Sequence, residues 1–120
     1  MKRIGLVLVS GTMLVALARP AHAQTKVEQG AALFASQKCT MCHSAAGKGN
    51  PKGSLDGVAA KHKADEIKQW ILDPEGMRAK TGAVRTPAMR PTKLTGEQVE
   101  ALVAYIQSLK PTAAAADADK

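Results

Sequence analysis

Two cysteines and a histidine lie within five consecutive residues, in the segment CTMCH at residues 39–43. Cys39 and Cys42 are the two cysteines of the 120-residue chain, and a disulfide between them would constrain the unfolded chain very little. The pair is therefore expected to serve chemistry rather than to stabilise the fold. A structural zinc site needs four ligands, and Cys39, Cys42 and His43 supply three. His62 is the only further histidine after the motif, so zinc is a poor alternative.

The C-x-x-C-H spacing is the signature of covalent haem c attachment. On one helical turn the thiols of Cys39 and Cys42 can reach the two vinyl groups at one edge of a haem, and the imidazole of His43 then projects under the iron. The rival is a dithiol oxidoreductase, whose C-x-x-C normally opens a helix after a strand, and no strand is predicted before Cys39. We therefore expect one covalently bound haem, with His43 as an iron ligand.

The first 23 residues have the parts of an export signal. Lys2 and Arg3 precede an uncharged, mainly apolar run over residues 4–18, and the AHA of residues 21–23 is a small-x-small cleavage site. The run is shorter than the roughly 20 residues of a membrane span. Cleavage after Ala23 and a periplasmic location are therefore predicted, with an uncleaved anchor as the alternative.

Removal of the signal leaves 97 residues and lowers the formal charge from +7 to +4, because Lys2, Arg3 and Arg19 are lost. The chain has one Trp, one Tyr and one Phe, and its basic residues do not alternate with aromatics, so nucleic-acid binding has little support. A mildly basic surface instead favours docking to an acidic protein partner. With so few large side chains, a bound prosthetic group would help to fill a small core.

The mature chain is predicted to be all-α. Apolar residues recur at helical spacing, and Thr95 with Gln98 forms a capping box before the last of these patterns. Prolines mark where helices begin or stop. The predicted helices cover residues 26–38, residues 64–72, a short stretch from Pro74 to about Gly82, and a final stretch between Thr95 and Pro111.

Two long loops separate these helices. Residues 45–57 are rich in glycine, and residues 83–93 contain two prolines and few apolar anchors, so neither stretch is predicted as helix or strand. Loops of this length in a compact domain are usually functional or disordered. One haem domain is predicted over residues 24–110, followed by a disordered tail over residues 111–120.

A methionine of the mature chain could supply the sixth ligand of the haem iron. Met41 lies inside the attachment motif and cannot reach the other face of the haem. Met89 lies between Pro87 and Pro91, which stiffen the loop and can hold the thioether towards the iron. His/Met ligation would raise the reduction potential. The alternatives are Met77 or His62 as the ligand, with Met89 as a core filler.

With these features the chain resembles the class I c-type cytochromes, small soluble monohaem proteins, over residues 27–110. Gly30 and Phe34 match the family's N-terminal helix motif, which crosses the C-terminal helix near an aromatic, here Tyr105. The attachment motif, a Gly-rich loop, a middle helix, the Met89 loop and the segment LTGEQVEALVAYIQSL follow in the family's order. The resemblance implies a fold in which the terminal helices cross, and helices and loops wrap around one haem.

The resemblance also implies roles for single residues. His43 would be the proximal ligand and Met89 the distal one, and Trp70 would pack against the haem or its propionate, with plain core packing as the alternative. The family usually has Gly-Pro after the attachment loop, where a carbonyl orients the proximal histidine. Here Gly53 is followed by Ser54, so Ser54 is a further candidate for haem contact and the rigidity of this loop is open.

The implied function is outer-sphere electron transfer, as a periplasmic shuttle or as the cytochrome subunit of a dehydrogenase. A periplasmic dehydrogenase and a terminal oxidase are the expected redox partners, and no residue is assigned a catalytic role. An open-site haem protein, peroxidase-like or gas-sensing, is the alternative. Four basic residues are candidates to steer an acidic partner to the exposed haem edge: Lys38, Lys48, Lys52 and Arg85.

Overall fold

The computed structural model describes residues 24–113, and four α-helices account for most of the regular structure in that range. The predicted export signal lies outside the described residues, as do residues 114–120 of the predicted tail. None of the helices in residues 24–113 is long and apolar enough to cross a membrane. The helices are α1 (Lys26–Ser36), α2 (Ala64–Leu72), α3 (Pro74–Thr81) and α4 (Gly96–Ser108).

The all-α prediction is confirmed, and local signals explain the helix bounds. Thr25 and Thr95 cap α1 and α4, each in a capping box with the residue three positions on. The Asp73 side chain accepts a hydrogen bond from the Gly76 amide at the start of α3. At its end, α1 stops two residues before the predicted position, because Lys38 adopts a left-handed conformation with φ of 58°.

A small two-stranded ribbon was not expected from the sequence. β1 (Ser44–Ala45) pairs in antiparallel fashion with β2 (Lys48–Gly49). Strands of two residues are too short to show an alternating pattern, so the sequence carried no signal for them. Ala46 and Gly47 turn the chain between them, with φ of 51° and 73°.

Helices α1 and α4 cross in close contact, as the resemblance implied. A Cβ atom on Gly30 would collide with the carbonyl oxygen of Ala101 and would lie 2.5 Å from the Cβ of Tyr105. One turn further along α1, the rings of Phe34 and Tyr105 pack edge to face, with centroids 5.7 Å apart. An exposed ion pair of 3.0 Å joins Lys26 to Glu100 beside the crossing.

The core lies between α1, α2 and α4. It is built mainly of aliphatic side chains, and Phe34 is its one buried aromatic residue within the described range. Leu94, just before α4, packs against it. The buried members of this cluster are Phe34, Ala45, Ile67, Ile71, Val99, Leu102, Val103, Ile106 and Leu109.

Contacts of the domain continue past the predicted boundary at residue 110. The Thr112 hydroxyl donates to Oδ2 of Asp56 at 3.3 Å, and the Gly57 amide donates to the Leu109 carbonyl at 3.0 Å. The chain after α4 is thus held against the loop that follows the attachment segment. The acceptor at Asp56 is remote in sequence, which is why composition alone did not indicate this contact.

We expect Asp56→Ala to lower the free energy of unfolding by about 2 kcal/mol. The carboxylate, 7% exposed as a residue, accepts hydrogen bonds from the amides of Ala46 at 2.6 Å and Gly47 at 3.1 Å. Its loss leaves the left-handed turn of the ribbon without these acceptors. Urea unfolding of the holoprotein measures the change. Thr112→Val, which keeps both amide bonds, is the control and should cost less than about 1 kcal/mol; equal losses would contradict this account.

Candidate functional site

The attachment segment forms one turn of 3-10 helix, Cys39–Met41, directly after α1. The amides of Cys42 and His43 both donate to the Cys39 carbonyl, at 3.1 and 2.9 Å. This turn gathers the two thiols and the imidazole, which are the three groups that the motif requires for haem attachment. Both cysteines are free, with Cys42 exposed and Cys39 half-buried.

The environment of Cys39 does not favour dithiol chemistry. Burial raises the pKa of the Cys39 thiol; a backbone hydrogen bond lowers it, and electrostatic repulsion from the neighbouring Cys42 raises it further. A nucleophilic C-x-x-C pair needs a lowered thiol pKa. The described residues 24–113 also contain no group of three or more His, Cys, Asp or Glu side chains that could hold a metal ion.

The imidazole of His43 is oriented by a backbone carbonyl. Its Nδ1 lies 3.1 Å from the Gly53 oxygen, so a protonated Nδ1 donates to Gly53 and leaves the lone pair of Nε2 for iron. Burial lowers the pKa of His43 and so favours the neutral imidazole that a metal requires. The hydrogen bond to Gly53 raises this pKa, whereas the positive charge of Arg85 lowers it further. The orienting carbonyl belongs to Gly53 itself.

Ser54 follows Gly53 but is engaged with the loop. Its hydroxyl accepts a hydrogen bond from the Asp56 amide at 3.3 Å, and its backbone forms a parallel bridge with Ser44. Trp70 lies on α2 next to the buried Ile71 and is itself half-buried, outside the core cluster. For both residues, haem contact stays a prediction.

Met89 lies half-buried in residues 83–93, which form neither helix nor strand, as predicted. This segment, the Met89 loop, is tied at both ends. Nε of Arg78 donates to the Ala83 carbonyl at 2.9 Å, and the Thr92 hydroxyl donates to the Ile71 carbonyl at 3.5 Å. The ends of the loop are therefore attached to α3 and α2.

The other ligand candidates are placed differently. Met77 lies on α3 and is only 4% exposed, so protein atoms already enclose it. Nδ1 of His62, just before α2, lies 2.9 Å from a carboxylate oxygen of Glu66, four residues further along the chain. Met89 has neither of these engagements and combines a thioether with an anchored loop.

These donors fit a haem. Imidazole nitrogen and thioether sulfur are ligands that haem iron takes in cytochromes, and two free thiols stand on the turn that bears the imidazole. The sequence profile of the cytochrome c family matches residues 27–110 of the chain. The chain belongs to the cytochrome c family. Comparison with curated proteins and with solved structures gave no match.

Membership defines the cofactor and the general role of this cytochrome. Proteins of the family carry covalently attached haem c and transfer electrons through it, and Cys39 and Cys42 fit the attachment motif. The family indicates an electron carrier rather than an enzyme.

One contact of the cytochrome had no signal in the sequence. Arg85, singled out as a candidate for partner steering, donates a hydrogen bond from Nη2 to the Cys42 carbonyl at 2.5 Å, across 43 residues of sequence. A charged side chain that binds a backbone carbonyl leaves no mark on residue type at the acceptor.

Proposed function

We propose that this cytochrome transfers single electrons in the periplasm through one haem bound to Cys39 and Cys42, with His43 and Met89 as axial iron ligands. The observation that carries the proposal is the hydrogen bond between His43 Nδ1 and the Gly53 carbonyl, which prepares Nε2 for iron beside two free thiols. The haem, when bound, supplies a one-electron iron couple. The protein supplies attachment, ligand orientation and cover from water.

Fixed ligands suit electron transfer. Gly53 holds the His43 ring in one orientation, and the ties of the Met89 loop to α2 and α3 restrict the thioether. Ligands that keep their positions in both oxidation states keep the reorganisation small. The enclosure of Met77 and the Glu66 contact of His62 support Met89 over these two alternatives.

Further parts of the proposal rest on the sequence. The export signal over residues 1–23 supports a periplasmic location, where a dehydrogenase could deliver electrons and a terminal oxidase could accept them. The cytochrome would act as a free shuttle or as a dehydrogenase subunit. We assign Trp70 and Ser54 to the surroundings of the haem. Trp70 is a half-buried residue of α2, and Ser54 directly follows Gly53, whose carbonyl orients His43.

The absorption spectrum of the purified ferric protein tests this proposal. His/Met ligation gives a near-infrared sulfur-to-iron charge-transfer band, and we expect to observe it. We also expect the reduced protein to resist carbon monoxide, because both axial positions are filled. Absence of the band together with ready carbon monoxide binding would replace electron transfer by the open-site alternative.

We expect electron exchange with anionic reagents to depend on ionic strength. Lys38, Lys48 and Lys52 are exposed on or near the attachment segment, so their charges attract anions to that side. Raising the salt from about 0.01 to 0.5 M should slow oxidation by ferricyanide about tenfold, because the Debye length shrinks. Stopped-flow absorbance measures the rate.

Two controls test where the charges act. Lys48→Gln with Lys52→Gln should reduce the salt dependence, whereas Lys110→Gln, an exposed charge after α4, should leave it nearly unchanged. The rate with cationic hexaammineruthenium should not fall with salt. Equal salt dependence in the two variants, or none in the wild type, would refute steering by this face.

A further inference from the structure

The guanidinium of Arg85 lies where a side chain at residue 53 would be. A Cβ atom on Gly53 would collide with Nη1 of Arg85 and with the Cys42 carbonyl, the group that accepts the hydrogen bond from Nη2 of Arg85. Gly53 does not have the positive φ that requires glycine. Glycine is therefore needed at this position for space, and Arg85 is one of the two groups that fill that space.

These contacts connect the two sides of the haem site. Arg85 precedes Met89 by four residues in the Met89 loop, and its acceptor on Cys42 directly precedes His43. The neighbour of the guanidinium, Gly53, is the residue whose carbonyl holds His43. The other ties of the loop, at Ala83 and Thr92, lie at its ends, whereas Arg85 joins it to the attachment segment.

We propose that Arg85 is a positioning residue that fastens the Met89 loop to the attachment segment, in space that Gly53 leaves open. The planar guanidinium presents several donors in a rigid fork, so it can bond one carbonyl while it packs against the backbone of Gly53. Its role in holding Met89 at the iron rests on the proposed His43 and Met89 ligation. The attachment of the loop itself does not.

Imidazole binding to the ferric holoprotein measures how often the loop opens. An added ligand reaches the iron only in the open state, so its apparent affinity rises with the open fraction. Arg85→Gln removes a charged hydrogen bond and should tighten imidazole binding about tenfold. Arg85→Lys keeps the charge without the planar fork of donors, and its imidazole affinity should lie between those of the wild type and Arg85→Gln. Because Arg85 is exposed, these variants are expected to fold.

Arg90→Gln is the matched control. It removes the same charge from the same loop, and Arg90 makes none of the contacts that Arg85 makes. Its imidazole affinity should stay within about twofold of the wild type, since the hydrogen bond is untouched. Equal effects of Arg85→Gln and Arg90→Gln would mean that charge alone acts, and would overturn the proposal.

A double-mutant cycle tests the shared space. Gly53→Ala should displace Arg85 and tighten imidazole binding by itself, because its Cβ takes the place of the guanidinium. Adding Arg85→Gln should then change the affinity less than it does in the wild-type background. Independent, multiplicative effects would show that the two residues do not share this space.

Hydrogen exchange of amides 83–93 separates this proposal from the proposed ligation. Arg85→Gln should speed exchange there, and Arg90→Gln should not, whichever group is the sixth ligand. If the wild type lacks the near-infrared band but the variants show this exchange pattern, Met89 ligation is refuted and the attachment by Arg85 stands. A wild type with the band, and exchange unchanged in Arg85→Gln, would refute the attachment by Arg85 alone.

Discussion

Gly30→Val is expected to lower the free energy of unfolding by more than about 4 kcal/mol, enough to unfold much of the protein. The branched side chain would have to enter the crossing of α1 and α4, where the Ala101 carbonyl and the Tyr105 Cβ already occupy the space of a Cβ. The Ala101 carbonyl belongs to helical backbone and cannot move aside as a flexible side chain can. The helices would separate, and the Phe34–Tyr105 contact with them.

Gly30→Ala allows the collision to be measured. Alanine is favoured over glycine in a helix interior by about 1 kcal/mol, so intrinsic propensity predicts a gain. We expect a loss of about 3 kcal/mol instead, because overpacking at the crossing outweighs propensity. Urea unfolding of the holoprotein, followed by circular dichroism, gives both values.

Gly96→Ala is the matched control for this series. Gly96 is the first residue of α4, and a Cβ built there meets no atom within 4 Å. Its effect should stay within about 0.5 kcal/mol. Should Gly30→Ala prove as stable as the wild type, the close approach of the two helices would not be required for stability.

Met89→Ala is expected to abolish the near-infrared band and to lower the reduction potential by on the order of 0.1 V, part of the roughly 0.8 V range that axial ligands set. The thioether favours the reduced iron, and alanine has no group to replace it. The reduced variant should bind carbon monoxide, because the sixth position opens. Potentiometric titration and optical spectra measure these changes.

Met77→Leu is the control for Met89→Ala. Leucine has nearly the volume of methionine and no sulfur, so the enclosed site on α3 should tolerate it. The near-infrared band and the reduction potential of Met77→Leu should stay as in the wild type. If instead Met77→Leu loses the band and Met89→Ala keeps it, Met77 is the ligand and the loop assignment is wrong.

Signals that act within one or two helical turns were readable from the sequence. The spacing of Ile67 and Ile71, and the stop before Pro74, predicted α2 with its observed bounds. The capping box at Thr95 predicted the start of α4. The attachment turn followed from the spacing of its cysteines, because residues this close are positioned by local backbone geometry.

The tertiary structure decided which distant groups meet. The resemblance implied a carbonyl that orients His43, but which residue supplies it, Gly53, depends on the path of the loops through space. The same is true of Arg85 beside Gly53 and of the hydrogen bond between Asp56 and Thr112. A backbone carbonyl is the same at every residue, so its partner leaves no mark on residue type. The sequence alone therefore determined the helices, the attachment motif and the family resemblance, whereas the contacts that orient the ligands appear only once the loops are folded against one another.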